Sequence, residues 1–266
     1  DHRDLHSFPT RRSSDLLQSE PGASSNYHSM QVTARRRFAQ SVQFGLAWTW
    51  SKSLNYNNFD TNTVSVLVPV RVWNYGLASS DRTHNVRIDW TWDLPKPALG
   101  NKVAAYALKD WQLSGITSFV SGAPLGVGYT TVSPVDITGT ASQGARIDVT
   151  GNPIIPKSQR TFSRNFNPDV FRLPARGTFG NSATTQIRGP GINNWDISLI
   201  KNLPITEKVR AQFRAEAYNA FNHTQFATLD TTARFDAQGN QVNARLGEFL
   251  SSRAPRIMQL ALRLYF

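Results

Sequence analysis

Apolar and polar residues alternate along this chain in short bursts, most regularly over its last nine positions. Phe266, Leu264, Leu262, Leu260 and Met258 are all apolar, while Tyr265, Arg263, Ala261 and Gln259 between them are mixed and mostly polar. A period of two marks a strand whose faces meet different surroundings. The edge of a soluble sandwich gives the same pattern, so this strand alone leaves both settings open. A first burst puts Met30, Val32, Ala34 and Phe38 opposite Ser29, Gln31, Thr33 and Arg35. After a break at Ala39-Gln40, Val42, Phe44, Leu46, Trp48 and Trp50 alternate with Ser41, Gln43, Gly45, Ala47 and Thr49, which predicts a hairpin. A third strand sets Val86, Ile88, Trp90, Trp92 and Leu94 against Arg87, Asp89, Thr91 and Asp93, and Pro95 and Pro97 end it.

The fourth runs from Trp111 through Leu113, Thr117 and Phe119, weakened by Gly115; residues 104–108 either extend it or form a short helix. Trp195, Ile197 and Leu199 against Asp196 and Ser198 give the fifth. Residues 209–221 read both ways. As a helix, Val209, Phe213, Ala217 and Phe221 share a face among good helix formers. As a strand, Val209, Ala211, Phe213, Ala215 and Ala217 point one way, and Arg210, Gln212, Arg214 and Glu216 the other. The need for a hairpin partner after residues 204–207 favours the strand. With the terminal one, seven strands are expected.

The connections decide between the two settings. They alternate between long (56–83, 122–193, 222–254) and short (39–41, 95–107, 204–208). Transmembrane barrels have long extracellular loops and short periplasmic turns, whereas a sandwich has no reason to segregate them. Trp48, Trp50 and Trp195 fall toward the long-connection ends of their strands, and Trp90, Trp92 and Trp111 toward the short-turn ends. Two such belts are what two membrane interfaces favour. The lumen-facing set is then Arg87, Asp89, Asp93, Asp196, Arg210, Arg214 and Glu216, expected to be salt-bridged wall rather than substrate chemistry. The fold class is therefore an all-β, antiparallel transmembrane β-barrel segment of about seven strands, not closed by itself.

Composition narrows the alternatives. No stretch approaches the eighteen apolar residues of a membrane helix, and there is no cysteine to form a disulfide or a thiol site. The net charge of +11 is scattered, apart from Arg35-Arg36-Arg37 at a strand end, so nucleic acid is not expected as a partner. The histidines, His2, His6, His28, His84 and His223, show no metal-ligand spacing. Residues 122–128 are glycine-rich but lack the Gly-Lys-Ser/Thr ending of a phosphate loop. Asn222-His223-Thr224 matches a glycosylation acceptor by chance. No nucleophile–base pairing is recognisable, so neither enzymatic activity nor a cofactor is expected.

Residues 1–16, DHRDLHSFPTRRSSDL, are similar to the translation of a widely used short-read sequencing adapter. They are set apart from fold reasoning, with 17–266 as the barrel portion. An adapter there implies a reading frame cut at its 5′ side, with plug and partner-contacting segments lying upstream.

Five segments carry a family resemblance: TWSKSLNY (49–56), DRTHNVRIDWTWDLP (81–95), WQLSGITSFVSGAP (111–124), RGPGINNWDISLIKN (188–202) and FRAEAYNAFNHTQF (213–226). Together they resemble the barrel of TonB-dependent outer-membrane receptors, in particular the Oar-like group abundant in Acidobacteria. The resemblance implies a larger barrel, of twenty-two strands in that family, and uptake of a nutrient with energy delivered through TonB and an upstream plug. A passive porin is the competing function. The terminal set Met258, Leu260, Leu262, Leu264 and Phe266 resembles the signal strand read by the barrel-assembly machinery. Outer-membrane lipid is the remaining expected partner.

Overall fold

The stretches of alternating sequence are the long strands of one antiparallel meander: β1 (Ser25–Ala39), β2 (Val42–Asn55), β3 (His84–Asp93), β4 (Trp111–Val120), β5 (Ile192–Pro204), β6 (Arg210–Tyr218) and β7 (Ile257–Tyr265). The computed structural model describes residues 24–39, 41–56, 68–98, 100–140 and 143–266. The adapter-like residues 1–16 and residues 57–67 of the first long connection lie outside the described residues. Each long strand pairs with its neighbours in sequence, and the two-residue strand Gly76–Leu77 extends the pairing of β2 at Leu54 and Asn55.

The cross-strand register gives the sheet two consistent faces. Met30 pairs with Trp50, Val32 with Trp48, Phe44 with Trp90, and Val42 with Trp92. Trp92 pairs with Leu113, Leu113 with Leu199, Leu199 with Ala215, and Ala215 with Leu260. Paired residues point the same way, so the apolar set of every strand lands on one face. The polar sets land on the other, through pairs such as Arg87 with Ala47, Asp89 with Gly45, Thr91 with Ser114 and Glu216 with Gln259.

The two ambiguous stretches resolve differently. Arg210–Tyr218 is a strand, held by eight register pairs to β5 and nine to β7. Ladder bonds on both sides outweigh helix propensities of a few tenths of a kcal/mol per residue. Lys102–Leu108 is a helix, here α2, and the Asn101 side chain caps it by accepting from the backbone N–H groups of Val103 and Ala104. A five-residue helix, α1, covers Val70–Asn74.

All long connections leave from one rim of the meander and all short ones from the other. Trp50 pairs with His84, Val120 with Ile192, and Tyr218 with Ile257 at the first rim; Val42 pairs with Trp92, Lys201 with Trp111, and Arg210 with Tyr265 at the second. Among the described residues β1 and β7 each have one partner, so the sheet is a sector of wall with two edges rather than a closed ring.

The long connections are more than loops. Connections 121–191 and 219–256 fold together around Val127, Ile147, Phe166, Phe171, Ile187, Leu229, Ala233, Phe235 and Leu246, all buried. Gly128–Thr131 pairs in parallel with Thr232–Phe235, joining the two connections directly. Shorter antiparallel pairs, Asp148–Val149 with Phe171–Arg172 and Phe226–Leu229 with Phe249–Ser252, complete this rim body. The expectation of irregular sequence over 122–193 is corrected accordingly. Its apolar residues are too widely and unevenly spaced to show a period, yet they converge in space.

Candidate functional site

The polar face of the wall carries the charges singled out in the sequence. Arg87 donates to Ser118 Oγ at 2.8 Å and Asp93 accepts from Gln112 Nε2 at 2.7 Å. Arg214 pairs with Glu216 at 2.9 Å, and the Arg210 guanidinium lies 4.7 Å from the centre of the Tyr265 ring. Asp196 accepts from Asn194 Nδ2 at 2.8 Å and from the backbone N–H of Asn219 at 3.0 Å. Asp89 lies across Gly45, where an added Cβ would stand 2.5 Å from its carboxylate oxygen; glycine is what lets that carboxylate rest on the next strand. Asp89, Thr91, Ser114, Asp196, Ser198 and Glu216 line a cavity of ≈ 380 Å³ over the middle strands. The seven residues share one face, but Arg214–Glu216 is the one ion pair within the set among the described residues; the contacts of Arg87, Asp93, Asp196 and Arg210 are with neutral partners.

The opposite face carries the tryptophans. Trp48, Trp50 and Trp195 sit toward the long-connection rim, and Trp90, Trp92 and Trp111 toward the short-turn rim, all on the same side. From Trp50 to the level of Trp92 is eight residues of β2, about 26 Å along the strand. A tilt of about 40° brings this to about 20 Å, close to an apolar band about 25 Å tall. Four indole N–H groups are bonded within this face: Trp48 to His84 Nδ1, Trp90 to Thr117 Oγ1, Trp111 to the carbonyl of Ala107, and Trp195 to Asn193 Oδ1. A donor satisfied by its own protein can sit where water is scarce. Thr117, polar on the apolar face, is buried beneath its neighbours and receives such a bond.

On β7 the set Met258, Leu260, Leu262 and Leu264 is exposed on that same face, Leu260 at 68 %, and Phe266 follows the strand fully exposed. In water this would be an unburied core; the described residues contain no second sheet laid over it. That removes the sandwich reading of the terminal strand.

Wall and rim body are joined by a network that sequence reasoning missed. Asp81, whose side chain is fully buried, accepts from the backbone N–H of Ser53 at 2.7 Å and pairs with Arg188 at 2.6 Å. Arg188 also donates to the carbonyl of Gly122 at 3.1 Å. The Gln225 carbonyl oxygen accepts from the backbone of Asn193, and its amide donates to Asn194. Nearby, the Arg146 guanidinium lies 4.3 Å from the centre of the Trp73 ring and donates to Asn74 Oδ1, and burial holds its pKa below the ordinary arginine value. Trp73, absent from the belts read in the sequence, thus ties α1 to the rim body. Nothing local in a lone Asp, Arg or Trp marks a contact made so far along the chain.

A model of the outer membrane beta barrel domain family matches residues 3–259. The chain belongs to that family, and its place is the outer membrane. No curated protein and no solved structure matches it.

Proposed function

We propose that this chain supplies wall and rim of a TonB-dependent receptor that imports a nutrient across the outer membrane. The observation that carries the reading is where the five resembling segments meet. Ser53 of the first bonds Asp81 of the second; Asp81 pairs with Arg188 of the fourth; Arg188 bonds Gly122 of the third; and Asp196 of the fourth holds Asn219 of the fifth. Motifs far apart in sequence are thereby one hydrogen-bonded junction beneath the rim body. A junction of this kind suits a receptor whose mouth must hold a solute in a fixed shape.

In this reading the apolar face meets outer-membrane lipid, and the charges Arg87, Asp89, Asp93, Asp196, Arg210, Arg214 and Glu216 face water or a plug. The terminal strand is the element the barrel-assembly machinery engages, and no catalytic step is assigned. Closure needs further strands beside β1 and β7, because an unpaired edge in hydrocarbon leaves backbone groups unsatisfied. The test is energy dependence. Solute uptake through the assembled protein should stop when the inner-membrane proton gradient is collapsed or the TonB protein is deleted; uptake that continues would make the barrel a passive porin.

A further inference from the structure

Helix α2 lies outside the wall, against its apolar face, at the short-turn rim. Lys201 fixes the side: in the register of β5 it points the same way as Leu199, pairing with Trp111 on one strand and Phe213 on the other. A lysine there would be misplaced on a bare lipid-facing surface, yet it is only 5 % exposed, because the helix covers it. Its ammonium donates to the carbonyl of Tyr106 at 2.9 Å and to that of Lys109, and stands 5.5 Å from the centre of the Trp111 ring. The Trp111 indole donates to the carbonyl of Ala107, and the Tyr106 hydroxyl to that of Pro204. The last carbonyls of a helix have no partners of their own. Water would serve them at no cost in structure; here a buried ammonium and an indole serve them instead.

The outward side of α2 is apolar. Val103, Tyr106 and Leu108 are exposed, Val103 at 79 %, and residues 103–108 contain no charge. Lys109 follows directly, and Lys96 pairs with Asp110 at 3.2 Å beside it. An uncharged face with tyrosine, tryptophan and lysine at its margin is the composition that rests at a bilayer interface. It also continues the apolar face of a wall that belongs to the outer membrane.

We infer that α2 is an interfacial anchor: it lies in the periplasmic leaflet at the boundary between headgroups and acyl chains, with Lys201 holding it to the wall. Its occupant is phospholipid. Because the chain has no cysteine, single labelled positions are clean probes. The assembled protein, in vesicles of phosphatidylethanolamine and phosphatidylglycerol, would carry an environment-sensitive fluorophore at Val103→Cys, at Leu260→Cys on the wall, or at Ser158→Cys in the exposed rim connection. A nitroxide lipid labelled near the headgroup should quench the probe at 103 at least about threefold more than the probe at 158, with aqueous iodide reversing the order. If 260 responds to a deep nitroxide but 103 behaves like 158, the anchor is overturned and the membrane wall stands. If 260 also fails to respond, the membrane placement falls and the anchor with it. In a Lys201→Met background the quenching at 103 should drop while that at 260 remains; unchanged quenching at 103 would refute the role given to the lysine.

Discussion

The wall and the rim body solve the burial problem in opposite ways. In the rim body, Phe166, Phe171 and Phe235 are buried inside a small core, and polar connections surround them. In the wall, Met258, Leu260, Leu262 and Leu264 stand exposed on one face while Arg214 and Glu216 pair on the other. One region is organised for water outside and hydrocarbon within; the other for hydrocarbon outside. The polypeptide passes between these regimes at Asp81, Arg188, Asp196 and Asn219. What separates them is therefore the solvent each region faces, and substitutions of like chemistry should behave differently in each.

The largest effect is expected in the rim core. Phe171→Ala should cost about 3–5 kcal/mol, since the side chain is fully buried and leaves a cavity. Limited proteolysis within 121–191 should rise sharply while the heat-resistant wall persists; simultaneous loss of both would show that they are one cooperative unit. Next comes the lipid-facing side. Leu260→Arg in the assembled barrel should cost about 2–4 kcal/mol near the centre of the apolar band. Gln259→Arg, beside Glu216 on the polar face, should cost less than about 1 kcal/mol. Folding into lipid vesicles measures both, and equal penalties would break the comparison between faces.

A smaller effect is expected at the junction. Asp81→Asn leaves Arg188 without its charge partner, for about 2–3 kcal/mol, a figure held down because Arg188 is itself one-third exposed. Hydrogen exchange at the Ser53 amide should quicken, and adding Arg188→Met should restore part of the protection. The smallest is a pH effect at a surface turn. Asp236 accepts from the Asn240 side chain and from the backbone N–H groups of Asn240 and Gln238, and these bonds hold its pKa below the ordinary value. A lowered folded value means the turn is supported above about pH 4 and loses that support as pH falls through the folded pKa. Amide exchange at Asn240 should accelerate with acidification, and Asp236→Asn should flatten that dependence.

What was legible in the sequence follows the same division. The wall could be read because a strand between two media must alternate, so Val42 to Trp50 and Met258 to Phe266 announce both the strand and its faces. Loop-length alternation then placed each connection at its rim. Arg210–Tyr218 needed that context, since Ala, Gln, Arg and Glu favour a helix locally. The rim body could not be read, because Val127, Ile147, Phe166, Leu229 and Phe235 meet only in three dimensions. Lys201 was invisible for a different reason: a lysine among apolar neighbours gives no hint that the helix of Tyr106, 95 positions earlier, covers it.

The parallel pairing of Gly128–Thr131 with Thr232–Phe235 sets a condition on the order of assembly. Its register partners, such as Gly128 and Thr232, lie 104 positions apart, on connections belonging to different hairpins. Connection 121–191 thus leaves the β4–β5 hairpin with half a core and must wait for 219–256 to supply Leu229, Ala233, Phe235 and Leu246. Loop closure over such a span is slow relative to forming a hairpin. The mouth of the barrel consequently matures last, and only once the final hairpin is in place. A chain stalled before β6–β7 would display its phenylalanines outside the cell surface, where a quality-control protease can tell it from a finished one.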